Sequence, residues 1–154
     1  MSVDIETYSS VNIGDSGLYK YVQSPDFSIL LFAYSIDDGE VRIIDLTKEK
    51  LPDFVREALT DDTYIKHAYN AAFEWYCISK YLHLSDTAAA QWLSQWRCTM
   101  LHGQYCGYTA GLEATGKAIG LPQDKQKLSI GKALIKMFCS PCKPSKSNGM
   151  RTRT

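Results

Sequence analysis

Short runs of apolar and β-branched residues dominate the first part of the chain, a pattern typical of β-strands. We predict strands over residues 2–7, 27–36 and 41–46. Residues 37–40 (DDGE) contain an Asp-Gly pair, which favours a tight hairpin turn between the second and third strands. Residues 8–18 are rich in Ser, Gly, Asn and Asp, so we predict a loop there. The three strands together predict an antiparallel meander.

Farther along the chain, apolar residues recur at the spacing of a helix that buries one side. Residues 51–59 follow this spacing, with Pro52 in the first turn, where proline is tolerated. We predict a short strand over 64–68 and a helix over 70–82, with Asn70 placed to cap it. Further helices are predicted over 86–96, 98–106, 110–121 and 129–138. This order predicts an α/β domain whose mixed sheet, three antiparallel strands followed by a fourth, is flanked by helices.

The composition is that of a soluble globular domain, with 154 residues, 45% of them apolar and 22% charged. No apolar run reaches the roughly 18 residues that a membrane span needs. The N-terminus shows no secretory signal. The five cysteines are an odd number, which favours reduced thiols. We therefore expect a cytoplasmic protein without a membrane partner.

The formal net charge of zero conceals two regions of opposite sign. Residues 1–116 hold 16 acidic and 8 basic residues, a net of −8, whereas residues 117–154 hold 9 basic residues and one acid, a net of +8. Such an asymmetry fits a site that gathers cations beside a segment that meets a polyanion, and equally a solvated tail without a partner. Residues 139–154 lack apolar periodicity, so we predict a loose basic tail after a folded region at 1–138.

Two carboxylates, Asp4 and Glu6, lie in the first predicted strand, although acidic residues are depleted in strands. Residues i and i+2 share a face of a strand, so their Cβ atoms are expected roughly 6–7 Å apart. Two carboxylates this close repel each other unless a cation lies between them, and hard divalent cations prefer oxygen ligands. The pair therefore indicates a metal site, although an exposed strand face with two solvated acids has the same short pattern.

A second polar group opens the helix predicted over 70–82. Asn70 and Glu74 are four residues apart and stack on one face of a helix, with Phe73 beside Glu74. A side chain at a helix start that follows a strand is held rigidly, which suits a catalytic group. A capping Asn followed by an exposed Glu fits the same residues.

Together the two groups resemble the DEDD-type 3′–5′ exonucleases, the proofreading domains of DNA polymerases, which have a ribonuclease H-like fold. The segment DIET at 4–7 matches the family's first motif, and NAAFE at 70–74 matches the second. The family usually has Asp at the position of Glu74. Further segments, from GLYKYVQSPDFSILLFAY to GKALIKMFCSPCKP, resemble the N-terminal exonuclease region of bacteriophage and prophage family A DNA polymerases. The resemblance runs from about residue 2 to the last residue.

The resemblance implies hydrolysis of phosphodiester bonds at single-stranded 3′ ends of DNA, with two Mg²⁺ or Mn²⁺ ions. The expected metal ligands, which are also the expected catalytic residues, are Asp4, Glu6 and Glu74. The expected substrate contacts are Thr7, Asn70 and Phe73. It also implies a C-terminal polymerase domain as partner, and a role in DNA replication in a bacterial or phage-infected cell.

The family's third motif, Tyr-x-x-x-Asp, has no match in this sequence. Tyr108 and Glu113 come nearest, with one residue too many between them. We expect the motif to follow in a longer polypeptide, so that this chain is a truncated piece with weak or no activity of its own. Two alternatives stay open: a stand-alone DEDD exoribonuclease, and a catalytically inactive nucleic-acid-binding remnant, which Glu74 and the missing motif favour.

Overall fold

The computed structural model describes residues 1–109, 111–123 and 130–146. In these ranges the chain forms an α/β domain with a five-stranded sheet in the order β3-β2-β1-β4-β5. The strands are β1 (Ser2–Tyr8), β2 (Ser28–Ser35), β3 (Arg42–Asp45), β4 (Lys66–Ala68) and β5 (Trp96–Cys98). The helices are α1 (Ile13–Gln23), α2 (Asp53–Thr60), α3 (Ala72–Tyr81), α4 (Asp86–Trp92), α5 (Thr99–Tyr105), α6 (Leu112–Ala118) and α7 (Gly131–Phe138).

The sheet is mixed. Strand β2 is antiparallel to both β1 and β3, which confirms the predicted meander. Strand β4 is parallel to β1, and β5 is parallel to β4. The α/β class and the mixed sheet flanked by helices are thereby confirmed, and the arrangement is compatible with a ribonuclease H-like fold. Because β1 and β4 are parallel, their carboxyl ends meet at the same edge of the sheet.

One face of the sheet carries the core. Val3 pairs with Tyr34, while Ile5 pairs with Phe32, which in turn pairs with Ile44. All five side chains are buried, because directly paired residues point to the same face and this face lies under helices. Helices α2 and α3 contribute further buried side chains to the same cluster, namely Val55, Leu59, Cys77 and Ile78.

The opposite face is more open within the described residues. On it, Asp4 pairs with Ala33, which pairs with Ile43, and Glu6 pairs with Leu31. Ile43 is 67% exposed and Leu31 is 38% exposed. Asp4 is exposed as well, and Glu6 is half-buried. The two acids therefore share a face, as predicted from their spacing, and it is not the face that forms the core.

The loop predicted over 8–18 is wrong in its second half, because α1 begins at Ile13. The helix is started by a capping side chain, since Asn12 Oδ1 accepts a hydrogen bond from the Gly14 N–H at 2.9 Å. Gly17 has a left-handed φ of 79° and interrupts the helix with a kink. The glycines and serines that suggested a loop are thus accommodated inside a short, kinked helix.

The helix predicted over 86–96 is confirmed as helical up to Gln95, but in two segments rather than one. Helix α4 ends at Trp92, a 3₁₀ turn covers Leu93–Gln95, and the chain then enters β5. A strand of three residues is too short to show alternation, so no local pattern distinguished it from the preceding helix. The other predicted helices and strands are present, most of them with shorter bounds, although β1 extends to Tyr8 and α2 to Thr60.

The predicted tail at 139–154 is only partly described. Residues 139–146 follow α7, and Cys142 lies in an isolated β-bridge there. Residues 147–154 lie outside the described residues, as do residue 110 and residues 124–129, which fall on or beside two predicted helices. The division into a folded region at 1–138 and a loose tail stays a prediction. None of the described helices has the length and apolar character that crossing a bilayer requires.

Candidate functional site

The first wall of the candidate site is the carboxyl end of β1. Strand pairing is regular from Ser2 to Glu6 and then shifts, because Glu6 lies opposite Leu31 whereas Thr7 lies opposite Ile29. The shift is a β-bulge, which bends a strand and redirects its side chains. Asp4 and Glu6 stay on the open face, and Thr7 is only 4% exposed. The structure therefore separates the two acids from the neighbouring threonine.

The second wall is the junction between β4 and α3. Asn70 has a left-handed φ of 69°, a conformation that Asn tolerates better than most residues. Its carbonyl oxygen accepts a hydrogen bond from the Phe73 N–H at 2.9 Å. The predicted capping role of Asn70 is wrong, because the N-cap position is Ala71 and carries no side-chain cap. Asn70 instead turns the chain from the strand into the helix, and its side chain is exposed.

Glu74 is the most unusual group of the site. It lies in the first turn of α3 and is only 3% exposed. Its Oε2 atom is buried and has no hydrogen-bond partner among the described residues. Burial raises the pKa of Glu74 to about 8, a backbone hydrogen bond opposes the rise, and the negative charge of Asp4 adds to it. The structure thus brings Glu74 and Asp4 close enough for their charges to interact.

Glu6 faces a different neighbour. The Cys139 thiol donates a hydrogen bond to Glu6 Oε2 at a sulfur–oxygen distance of 3.7 Å. Cys139 follows the last residue of α7, so a residue 133 positions away along the sequence reaches the end of β1. No local pattern in the sequence signals such a contact, and it was not predicted.

A tyrosine from α1 connects the predicted substrate residues. Tyr21 OH and Thr7 Oγ1 share a buried hydrogen bond of 2.7 Å. The Tyr21 and Phe73 rings lie 6.3 Å apart between centroids. Burial raises the pKa of Tyr21 to about 12. The hydrogen bond with Thr7 opposes the rise, and the charges of Cys77, Cys139 and Glu6 add to it. Tyr21 was missed because a lone tyrosine close to a segment predicted as loop carries no functional signal.

The donor atoms of this site suit a hard cation. Glu74 Oε2 is a buried carboxylate oxygen without a hydrogen-bond partner in the described ranges, and Asp4 brings a second negative charge toward it. A divalent cation favours oxygen ligands and would offset the repulsion between the two groups. No group of three or more His, Cys, Asp or Glu side chains within the described ranges is close enough to hold a metal ion. The suitability of the site for a divalent cation therefore depends on the carboxyl groups of Asp4 and Glu74, with Glu6 on the same sheet face as Asp4.

Comparison with known proteins adds one relation. The chain is 48% identical to the DNA polymerase of Bacillus phage SP02 over 154 residues, which are 99% of this chain and 23% of that polymerase. No protein-family model matches the chain, and no solved structure matches it. The chain spans about a quarter of the length of the curated relative that it matches. The chain is therefore similar, nearly from end to end, to one part of a phage DNA polymerase.

Proposed function

We propose that this chain is a 3′–5′ exonuclease region of a phage-type DNA polymerase, acting on single-stranded 3′ ends of DNA. The observation that carries the proposal is the buried Glu74 carboxylate, which lacks a hydrogen-bond partner for Oε2 among the described residues and faces the charge of Asp4. Burying an ionisable group in this way is costly, so its presence favours a functional role over a structural one. The similarity to the SP02 polymerase supports the link to DNA synthesis.

The residues that would hold a metal are Asp4 and Glu74, with Glu6 as a further ligand. Two bound Mg²⁺ or Mn²⁺ ions would lower the pKa of a water molecule and stabilise the leaving 3′ oxygen. Asp4 is exposed on the open face of the sheet, so a nucleotide end can approach it from solvent. Glu74 is held from the core side by α3, which restricts its carboxylate to few positions.

The predicted substrate contacts differ in exposure. Asn70 is exposed at the rim of the site, and Phe73 is half-buried against Tyr21. An aromatic ring in this position suits stacking against an unpaired base. The Thr7 hydroxyl is engaged with Tyr21, so its contribution to substrate binding would pass through Tyr21 or through the backbone. A single-stranded 3′ end, and a polymerase domain that delivers it, are the partners that this proposal requires.

The test is shortening of an oligonucleotide labelled at its 5′ end, with this chain in excess so that slow cleavage is detected. We expect a ladder of products shortened from the 3′ end with Mg²⁺ or Mn²⁺, lost with EDTA and lost in Asp4→Ala. The matched control is Asp86→Ala, an exposed acid in the first turn of α4, remote in sequence from both motifs. An RNA oligonucleotide of the same sequence separates a deoxyribonuclease from an exoribonuclease. Absence of shortening with either metal, both from this chain and from a longer polypeptide that supplies a Tyr-x-x-x-Asp motif, would refute the exonuclease proposal.

The second candidate is a nucleic-acid-binding region without catalysis. It is favoured by the absence of a three-ligand acidic cluster among the described residues. It predicts that the chain binds single-stranded DNA equally with EDTA and with Mg²⁺, and that Asp4→Ala leaves binding unchanged. Metal-dependent shortening that disappears in Asp4→Ala would exclude it.

A further inference from the structure

A groove on the helical side of the sheet lies outside the candidate site. It has a volume of about 660 Å³ and runs between the end of α1, the start of β2, α2 and the end of α3. We call it the basic groove and define it by its four cationic or titratable basic residues, which are Lys50, Arg56, Lys80 and His83. Asp53 is the acid among the residues that line it. Cations thus outnumber acids here, although residues 1–116 as a whole carry a net charge of −8.

The cations of the basic groove are not neutralised within the described part of the chain. Lys50, Arg56 and Lys80 form no ion pair there, since the ion pairs found involve other basic residues. The Lys80 ammonium donates to the neutral Gln23 side-chain oxygen at 3.2 Å. By contrast, Lys48, two residues before Lys50, contacts Asp45 at 2.7 Å. The charge in the groove therefore remains available for an anion.

His83 occupies a position where the fold alone favours glycine. It follows the C-cap of α3 with a left-handed φ of 54°, and its N–H donates to the Lys80 carbonyl oxygen at 3.1 Å. Helices commonly end with glycine in this conformation, because a Cβ atom is disfavoured there. Backbone strain of this kind concentrates at functional sites, which makes the His83 side chain a candidate for a function. Here the side chain lines the basic groove.

Aromatic rings and helix α3 connect the groove to the candidate site. Phe27 and Tyr81 both line the groove and are half-buried. The Phe27 ring is 5.9 Å from the ring of Tyr21, whose hydroxyl bonds to Thr7. Along α3, Tyr81 lies seven positions after Glu74, which corresponds to about 10 Å of helix. An extended strand leaving the site can therefore reach the groove.

We propose that the basic groove binds the sugar-phosphate backbone of a single nucleic-acid strand whose end lies at the candidate site. The cations of the groove, which form no ion pair within the described residues, bind the phosphates, and exposed parts of the aromatic rings contact bases without selecting a sequence. The proposal rests on the proposed function in one respect, namely that the strand in the groove is the one that the site acts on. Binding itself does not require cleavage, so the two are tested separately.

The experiment measures binding of a fluorescein-labelled single-stranded oligonucleotide to this chain by fluorescence anisotropy, with EDTA present to prevent cleavage. We expect Lys80→Gln and Arg56→Gln each to weaken binding by about threefold to tenfold at low salt and to reduce the slope of log affinity against log salt by about 0.7. Lys48→Gln removes the same charge outside the groove and is expected to leave the slope unchanged. His83→Gly is expected to raise the melting temperature while weakening binding, a combination that structural damage does not produce.

Several outcomes would overturn the proposal. The first is that the wild-type chain does not bind the oligonucleotide. The second is that the groove variants keep the wild-type slope of log affinity against log salt. The third is that Lys48→Gln weakens binding as much as the groove variants do. Displacement by inorganic phosphate at equal charge concentration would indicate a small-anion site instead. Displacement by polyglutamate at equal charge concentration would indicate an acidic protein partner. Failure of the cleavage test with these binding results intact would refute the exonuclease and leave the groove in place.

Discussion

Replacing Glu74 by glutamine tests the central feature of the candidate site, a carboxyl group buried in the first turn of α3. Folding raises its pKa from 4.5 to about 8, chiefly because burial disfavours the charged form. In the unfolded chain the carboxyl ionises near its ordinary pKa. Between about pH 4.5 and about pH 8 the unfolded state therefore binds fewer protons than the folded state. The free energy of unfolding of the wild type must then fall as pH rises through this window.

The size of the effect follows from the pKa change. Each tenfold change in proton affinity is worth about 1.4 kcal/mol, so the full loss is on the order of 5 kcal/mol. This is a large share of the roughly 5–15 kcal/mol that stabilises a typical domain. The amide that Glu74→Gln introduces cannot ionise. We expect the free energy of unfolding of Glu74→Gln to equal that of the wild type at about pH 5 and to be several kcal/mol higher at about pH 9.

The assay is urea unfolding followed by tryptophan fluorescence across this pH range, in EDTA. Glu57→Gln is the matched control, since it changes an exposed glutamate in α2. A stability difference between wild type and Glu74→Gln that stays constant with pH would refute the reasoning. Adding Mg²⁺ or Mn²⁺ at the upper end of the range should restore stability to the wild type and not to the variant, because a ligand stabilises only the state that binds it.

Further substitutions at Tyr21, Asn70 and Trp92 each test one structural feature by urea unfolding. Tyr21→Phe leaves the buried Thr7 hydroxyl without its partner and should lower the free energy of unfolding by about 1–2 kcal/mol. When Tyr21→Phe is combined with Thr7→Val, the loss in the double variant should be smaller than the sum of the two single losses. Additive losses would contradict the contact. Asn70→Ala should lower the free energy of unfolding by about 1 kcal/mol, whereas Asn70→Gly should lower it much less, because glycine adopts the φ of 69° without strain. Equal losses in the two variants would argue against backbone strain at this position. Trp92→Phe should cost about 1–3 kcal/mol, since it removes the Nε1–H donor to the Leu59 carbonyl oxygen at 2.8 Å, and an unchanged midpoint would contradict this.

The features that could be predicted from the sequence are those with a local pattern. The apolar strands and the Asp-Gly turn predict β1 to β3, and period-two geometry places Asp4 and Glu6 on one face. The start of α1 was missed because Gly and Ser suggested a loop, whereas the helix is stabilised by packing on α3, including the Tyr19 and Tyr76 rings 6.3 Å apart. Tertiary contact here overrides weak helix propensity.

The features that could not be predicted join residues far apart in the sequence. The burial of Glu74 depends on the packing of α3 against the sheet, and its four-residue spacing from Asn70 indicates only a shared helix face. The Cys139 contact with Glu6 spans 133 positions. Lys66 is fully buried, and its ammonium group donates hydrogen bonds to the Asp61 carbonyl oxygen and to the Gln95 side chain. A lysine in a predicted strand gives no sign of such burial in the sequence. Such arrangements depend on the assembled fold.

The register shift beside Glu6 divides β1 into two segments that pair with β2 in different registers. Leu30 has no partner on β1, and its carbonyl oxygen instead accepts a hydrogen bond from the Leu46 N–H at 2.9 Å. A one-residue slip of a regular strand would turn every side chain to the other face. In this sheet, a one-residue slip at the start of β2 can be compensated at the bulge, so that the pairing of Asp4 with Ala33 does not change. Insertions or deletions near the start of β2 can therefore accumulate while the acidic pair keeps its orientation.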